Sequence, residues 1–480
     1  MSLEPTSALD TRTSVALRDD FLRSAVRFTV DKLRGSKAIS TVALGSWEEW
    51  RDRGSAIRAH TIANLDHYLE QFSANATARG ARVHFASDAE EARRIVVDVV
   101  RQRAAHRVVK SKSMLSEEIG INEALEETGV DVVETDLGEW IVQLAHETPS
   151  HIILPAIHKQ RSGIQALFEA EGHEKLSPET KVLAGYARRR LRQKFQQAEV
   201  GITGCNFAIA ETGSVVLFTN EGNGRMVTTL PDTHIVLMGM ERIVPTWSDL
   251  EVMANLLPRS ATGQKLTTYL NILSGPKGEL EVDGASDVHI IIIDNGRSRL
   301  LGDRDFQDVL HCIRCGACLN VCPVYRHIGG HAYGSVYSGP IGAVLTPLLR
   351  PTAPAGELAN ASTLCGACFE ACPVKIPLHD MLVQLRRKNV EQGHTAPAEK
   401  VAFQVYAAVF STSWLFQLVG WIARWLQRLF LGNGTRRRWL TRWMGPVRGW
   451  TDYRALPPAA PQSLHALWKR RKGSAEGKGS

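Results

Sequence analysis

Seven of the eight cysteines in this 480-residue chain fall between Cys312 and Cys372, and no other feature restricts its folding so tightly. The first run reads Cys312-Ile-Arg-Cys315-Gly-Ala-Cys318-Leu-Asn-Val-Cys322-Pro323, and the second Cys365-Gly-Ala-Cys368-Phe-Glu-Ala-Cys372-Pro373. The first is the C-x2-C-x2-C-x3-C-P spacing of bacterial ferredoxins. Three thiolates within a few turns of backbone can grip three corners of a [4Fe-4S] cube. The fourth, tied to a proline, ligates the cube of the other run. By that crossing, Cys312, Cys315, Cys318 and Cys372 hold one cluster, and Cys322, Cys365 and Cys368 hold the second. Structural zinc also uses CxxC pairs, but the tight triple and the two Cys-Pro ends suit cubes.

The second cluster is one cysteine short. Aligning the runs on their Cys-Pro ends puts Ser362 where the first cysteine should stand. Three arrangements satisfy the pattern: Ser362 binds as an alkoxide, Cys205 folds in from upstream, or one iron stays open.

Cysteines used as ligands, none left over in even pairs for disulfides, place the chain in a reducing compartment. The N-terminal stretch carries early acids and no apolar run of the secretory kind, so a cytoplasmic location is expected. Net charge is +7, but thirteen Lys/Arg against two acids from Arg424 onward leave −4 for residues 1–423. The basicity belongs to a tail, which excludes a nucleic-acid reading of the whole chain.

A content of 44% hydrophobic residues allows a large core divided among several domains. Residues 1–59 read as an N-terminal helical arm, with Trp47 and Trp50 packing onto the next segment. Residues 60–298 read as one α/β domain. Arg58–Gln71 places Ile62, Leu65 and Leu69 at helical spacing. Arg82–Phe85 is an expected strand, followed by a helix capped by Ser87 with Glu90 and buried through Ile95, Val96, Val99 and Val100. Arg107–Lys110 and Val130–Glu134 are expected strands around a helix over Ser116–Thr128. Phe207–Ala210, Val215–Thr219, His234–Met238 and Val288–Ile293 add further strands. Such alternation implies a mostly parallel sheet covered on both faces. Residues 299–395 form the cluster domain and 396–480 a Trp/Arg-rich amphipathic region.

Several polar groups lie at strand ends. Lys110-Ser111-Lys112-Ser113 could hold an anion, although a capped loop with solvated lysines is the simpler expectation. Glu211-Thr212-Gly213-Ser214 reads as a turn between strands, and Glu211 could serve there as a nucleophile or base. Asp294-Asn295-Gly296-Arg297 reads as the turn into the cluster domain. His151 and His158 flank an apolar run with no carboxylate or cysteine at metal spacing, which fits packing or surface histidines. Beside the first cube, His311 and Arg314 supply polar or positive groups, and Gly316 and Gly366 let backbone amides approach the sulfurs.

GITGCNFAIAETGSVVL (201–217), SGPKGELEVDG (274–284) and IIIIDNGRSR (290–299), followed by these cysteine runs, resemble the lactate utilization protein B family over nearly the full length. The resemblance implies a LUD domain, similar in fold to CoA transferases and sugar-phosphate isomerases, then a ferredoxin-type domain with two [4Fe-4S] clusters. It maps the cluster ligands onto the seven cysteines named above. It also implies a subunit of a three-protein system that oxidises L-lactate to pyruvate, with this member carrying electrons.

Neither GxGxxG after a first strand nor CxxCH occurs, so a flavin, nicotinamide or haem of its own is not expected. Two other functions remain open at this point. One is an acyl- or CoA-transferase-like activity through Glu211. The other is the iron–sulfur subunit of another 2-hydroxy-acid oxidase, of the glycolate type, feeding quinone. In the tail, seven of the eleven Trp lie between Trp414 and Trp468, and residues 401–423 carry no charge. Ser411-Thr412-Ser413 interrupts that stretch. From Trp414 the helix is two-sided, with Trp414, Leu418, Trp421, Trp425 and Leu429 opposite Gln417, Arg424 and Arg428. Such a face covers the chain's own cluster domain, docks on a partner subunit, or lies peripherally on the inner membrane surface. Gly473–Ser480 is an expected disordered end.

Overall fold

A computed structural model describes residues 8–350, 353–394, 397–431, 460 and 462–476. Residues 1–392 form one compact unit and 393–480 a second.

The described strands of the first unit are β1 (Arg82–Ala86), β2 (Arg107–Lys110), β3 (Asp131–Glu134), β4 (Val200–Thr203), β5 (Phe207–Ile209), β6 (Ser214–Thr219), β7 (Thr233–Gly239), β8 (Ile243–Val244), β9 (Tyr269–Leu273) and β10 (Asp287–Ile293). Six of them make a sheet in the order β1-β10-β7-β4-β2-β3, and every pairing in it is parallel. Parallel strands are buried on both faces and so read as continuous apolar runs, which is why Ile290–Ile293 and Ile235–Met238 are all buried. The other four strands form a separate mixed sheet, β8-β5-β6-β9. Gly213 makes the β5–β6 turn with φ +67°, where a Cβ would collide with the backbone of Ala76.

Local details depart from the sequence expectation where small polar residues or glycine intervene. The helix expected over Arg58–Gln71 is two helices, Trp47–Ala63 and Leu65–Ala78. Asn64 separates them, its side chain donating to the His60 carbonyl at 2.8 Å. The helix after β1 is capped by Asp88, which accepts from Glu91 N–H at 2.9 Å, while Ser87 bonds the Glu91 carboxylate. The helix expected over Ser116–Thr128 is split into Met114–Ile119 and Ile121–Glu126 by Gly120 in the left-handed region.

The N-terminal helices pack into the core, with Trp47 and Trp50 against it. Helices Leu9–Arg18, Asp20–Leu44 and Trp47–Ala63 contribute Ala16, Leu22, Val26, Val30 and Ile62 to one core with Cys315, Cys318, Cys322, Cys368 and Cys372. Polar ties reinforce it: Arg326 pairs with Asp31, Arg12 Nε donates to the Ala332 carbonyl at 2.8 Å, and Arg51 donates to the carbonyls of Cys372 and Phe369 at 2.9 Å each.

In the second unit the described helices are Pro397–Ser411, Ser413–Leu431 and Leu464–Glu476. The first two break at Thr412, as the Ser-Thr-Ser sequence suggests, and bend by 112°. Among the described residues no single helix is long and apolar enough to cross a membrane. Trp414, Trp421 and Trp425 are exposed; the side chains of Arg428 and Leu429 lie outside the described residues. Helix runs through Gly473 to Glu476, since Lys469–Lys472 continue it, and 477–480 lie outside the described residues.

Candidate metal centre

Two residues in the left-handed region shape the first cysteine run. Arg314 (φ +59°) and Gly316 (φ +72°) wrap the loop before the helix Ala317–Val321 begins. The wrap turns Cys312, Cys315 and Cys318 onto one buried cavity, whose remaining sulfur comes from Cys372 and whose other walls include Ile152, Ile341, Val374 and Ile376. Cys322 ends that helix and starts the next at Pro323, its Sγ accepting from Tyr325 N–H at 3.5 Å. There Cys322 neighbours Cys365 and Cys368 closely enough that ionising one thiol opposes ionising the next. The structure thus brings together the two sets that crossed ligation requires.

The second run repeats this backbone. Leu364 (φ +55°) and Gly366 (φ +80°) stand where Arg314 and Gly316 do, and the helix Ala367–Ala371 matches Ala317–Val321. Arg314 N–H donates to Cys312 Sγ at 3.4 Å, and Leu364 N–H donates to Ser362 Oγ at 3.1 Å. Ser362 therefore occupies the place of the missing cysteine in space as well as in sequence. Cys205 lies elsewhere, packed with the strand residues of the α/β core beside Arg242 and Glu241. Desolvation pushes its thiol up to about 12.

All eight cysteines are free, so no disulfide competes for the sulfurs. Burial drives Cys315 up to about 12 and Cys368 up to about 11. Thiolates crowded together in an apolar site need cations between them, and iron supplies that charge. The donor set and its backbone N–H bonds therefore fit iron–sulfur clusters.

Surroundings differ sharply between the two sets. Lys37 interacts with Cys315, Cys372 and Cys318, Arg51 with Cys372, and Arg58, Arg242 and Arg314 with Cys312. Five cations thus face the inner set. The outer set includes the exposed Cys365, whose thiol is held below its ordinary range by hydrogen bonds from Thr363 and the Ala367 amide, against the charge of Glu370. Sequence reading found only Arg314 among the five cations. A signal existed for two of the others: Arg51, Gly54 and Arg58 share one face of the helix Trp47–Ala63, and all three are buried.

The other polar positions have mixed outcomes, with Glu211 in a turn and His151 packed as expected. Lys110 is not solvated: it is fully buried and paired with Glu117 at 2.9 Å and Glu134 at 2.7 Å, while Ser113 caps the helix Met114–Ile119. Glu211 sits exposed in its turn, accepting from Trp247 N–H at 3.2 Å. Arg297 is a buried hub, bound to Glu118 at 2.9 Å and Glu241 at 2.8 Å. His151 is buried against Asn320, and desolvation lowers it to about 4. His311 is buried too and lowered to about 4 by desolvation. His158 does meet a carboxylate, Glu147 at 2.7 Å, and stacks edge-on with His331. That grouping spans too much sequence to be read from spacing, and Lys159 already engages the same carboxylate.

Comparison with known proteins agrees with this geometry part by part. Residues 69–293 match the LUD domain model, 308–376 the 4Fe-4S dicluster domain, and 384–473 the lactate utilisation protein B C-terminal model. Lactate utilization protein B of Oceanobacillus iheyensis is 50% identical over 468 residues, covering 96% of this chain and 95% of that protein. The Macrococcus caseolyticus protein of the same name is 52% identical over 444 residues, 92% of each. The Shouchella clausii one is 48% identical over 462 residues, 96% of each. At about 50% identity over more than nine-tenths of its length, the chain belongs to the lactate utilization protein B family.

Proposed function

We propose that this chain is the iron–sulfur electron-transfer subunit of a system that oxidises L-lactate to pyruvate. Its inner ligands would be Cys312, Cys315, Cys318 and Cys372; its outer ligands would be Cys322, Cys365 and Cys368. The observation that carries this reading is the interlocking of the two cysteine sets. Cys372 of the second run joins the first cavity, and Cys322 of the first run joins the second set. When bound, two [4Fe-4S] clusters would supply one-electron acceptors in series, which suits a two-electron oxidation of a 2-hydroxy acid.

The chain's own residues define a direction. Cys365 is exposed, so the outer set is the edge open to a redox partner. Lys37, Arg51, Arg58, Arg242 and Arg314 surround the inner set and stabilise the extra negative charge of a reduced centre. Opposite charge within a few ångströms in a buried site is screened little by solvent. Electrons entering at the outer edge would therefore settle inside. The exposed Trp414, Trp421 and Trp425 supply a contact face for another subunit of the system, and aromatic residues with arginines are the usual anchors of such interfaces. Free cysteines throughout support a reducing, cytoplasmic setting.

The test is anaerobic reconstitution with the remaining subunits. L-lactate should bleach the visible absorbance of this chain only when those subunits are present, and deletion of 397–480 should abolish the transfer while leaving iron content unchanged. Bleaching by lactate with this chain alone, or none with the full set, would overturn the reading.

A further inference from the structure

We propose that Glu147, His158 and His331 bind a divalent transition ion of the zinc class, separate from the cysteine sets, and that this ion ties the α/β block to the cysteine-bearing segment. Glu147 and His158 stand eleven residues apart, at the two ends of the loop between the helices Leu137–Leu144 and Arg161–Gly172. His331 comes from the other side of the seam, where it opens the short turn His331–Tyr333. One donor atom of each residue lies within 4.8 Å of the other two. Donors on a tetrahedral zinc ion stand about 3.4 Å apart, given bonds of about 2.0–2.1 Å, so rotations about side-chain bonds suffice to close on it.

The seam explains how residues so distant in sequence meet. Gly330 packs its backbone on the loop so closely that a Cβ there would overlap the Ser150 carbonyl. The same carbonyl accepts from Tyr325 Oη–H at 2.8 Å. The next residue, His331, is thereby carried onto the loop, where its ring meets that of His158 edge-on with centroids 4.4 Å apart.

Hydrogen bonding leaves the donors incompletely used. His158 Nε2 is 2.7 Å from Glu147 Oε2, but its Nδ1 is buried with no hydrogen-bond partner among the described residues. A neutral imidazole has one N–H and one lone pair, so this ring has one function unspent whichever way its proton sits. His331 Nε2 is 2.7 Å from the Thr148 carbonyl. A carbonyl only accepts, so Nε2 carries the proton and Nδ1 keeps its lone pair. Lys159 holds the other oxygen of Glu147, which leaves Oε2 for the ion. A backbone carbonyl on one histidine and a cation on the carboxylate are outer bonds of the kind that orient metal ligands. Two imidazoles with one carboxylate suit zinc and its neighbours, whereas magnesium and calcium take oxygen sets. The His158 side chain is 10% exposed and that of Glu147 37%, so the carboxylate marks the entry from solvent.

The loop that the ion would close also supplies Ile152 to the wall of the cysteine cavity, so the ion's role is to hold that wall in place. Equilibrium dialysis of the anaerobic, full-length, cluster-loaded protein with radiolabelled Zn2+ tests the site, with Co2+ and Mg2+ as competitors and iron measured on the same samples. The expected result is saturable binding of one zinc per chain, displaced by Co2+ but not by excess Mg2+. E147Q and H331Q should each weaken it at least tenfold with iron content unchanged. Zinc should also raise the melting temperature of the parent protein and leave that of H331Q where it was. If H331Q loses iron, E147Q decides, since its side chain is partly exposed and its replacement keeps the shape. No zinc bound by protein with its full iron content would overturn the site. So would binding that E147Q leaves unaltered, which would put the zinc on sulfur, or displacement by Mg2+ as effective as by Co2+.

Discussion

Between Cys312 and Cys322, and again between Ser362 and Cys372, the chain performs the same turn, yet the two loops meet different surroundings. Each has a non-glycine residue and then a glycine at positive φ, a five-residue helix, and a Cys-Pro end whose Sγ accepts a backbone N–H at 3.4–3.5 Å. Three of the four inner cysteines are buried and Cys312 is half-buried, among apolar side chains and five cations. The outer set has an exposed cysteine, a serine and Glu370 nearby. Backbone geometry thus fixes how sulfurs are presented, and the packed elements fix what charge they can carry. Repetition in sequence does not make two equal centres.

The largest effect should come from removing a sulfur on one side or the other. C315A should lower iron from about eight per chain, by one at the least and by four if the cube is lost, and lower the melting temperature strongly, because Cys315 belongs to the core shared with the N-terminal helices. C365S should cost much less stability, since that residue is exposed. Equal losses of stability would break the comparison. Next is S362C. If Ser362 stands at the fourth iron of the outer site, air exposure of the parent protein should generate a three-iron EPR signal, which S362C should suppress and S362A should not. An unchanged air sensitivity in S362C would place the fourth ligand elsewhere.

Charge differences should read out as potentials. R314L should lower the inner midpoint by roughly tens of millivolts, and E370Q should raise the outer one by less, because Glu370 lies at the surface where water screens it. An unmoved inner midpoint in R314L would mean that the ring of cations does not set it. The smallest expected effect lies away from both sets. His234 is buried between central strands, bonded to Thr203 Oγ1 at 2.9 Å, and desolvation lowers it to about 4. The folded state keeps it neutral, while the unfolded chain protonates it below its ordinary 6.5 or so. Its contribution is therefore fully present above that value and declines as pH falls towards 4. H234Q should flatten the acid-side loss of stability by roughly 1 kcal/mol per pH unit in denaturant titrations; an unchanged slope would mean another group controls it.

Much of this molecule was legible because its strongest signals are local. Cysteine spacing, the serine at 362 and the apolar strands β2, β7 and β10 are all patterns within a short window. The breaks at Asn64 and Gly120 and the cap at Asp88 are not fixed by pattern, since a small polar residue or a glycine can end a helix or sit within one. Lys37, Arg51 and Arg58 escaped for a different reason. A basic residue on a helix looks solvated until the partner surface is known, and that surface arrives some 300 residues later, at Phe369 and Cys372. Glu118, Glu241 and Arg297 meet from three separate segments and leave no trace in spacing at all.

The most direct test of the central claim is metal and sulfide analysis of anaerobically purified protein, joined to EPR of the reduced sample. Paired cubes predict about eight iron and eight sulfide per chain, or one iron fewer if the serine-side corner is lost, with two magnetically interacting signals. Zinc in place of iron, or about four iron with one isolated signal, would contradict them.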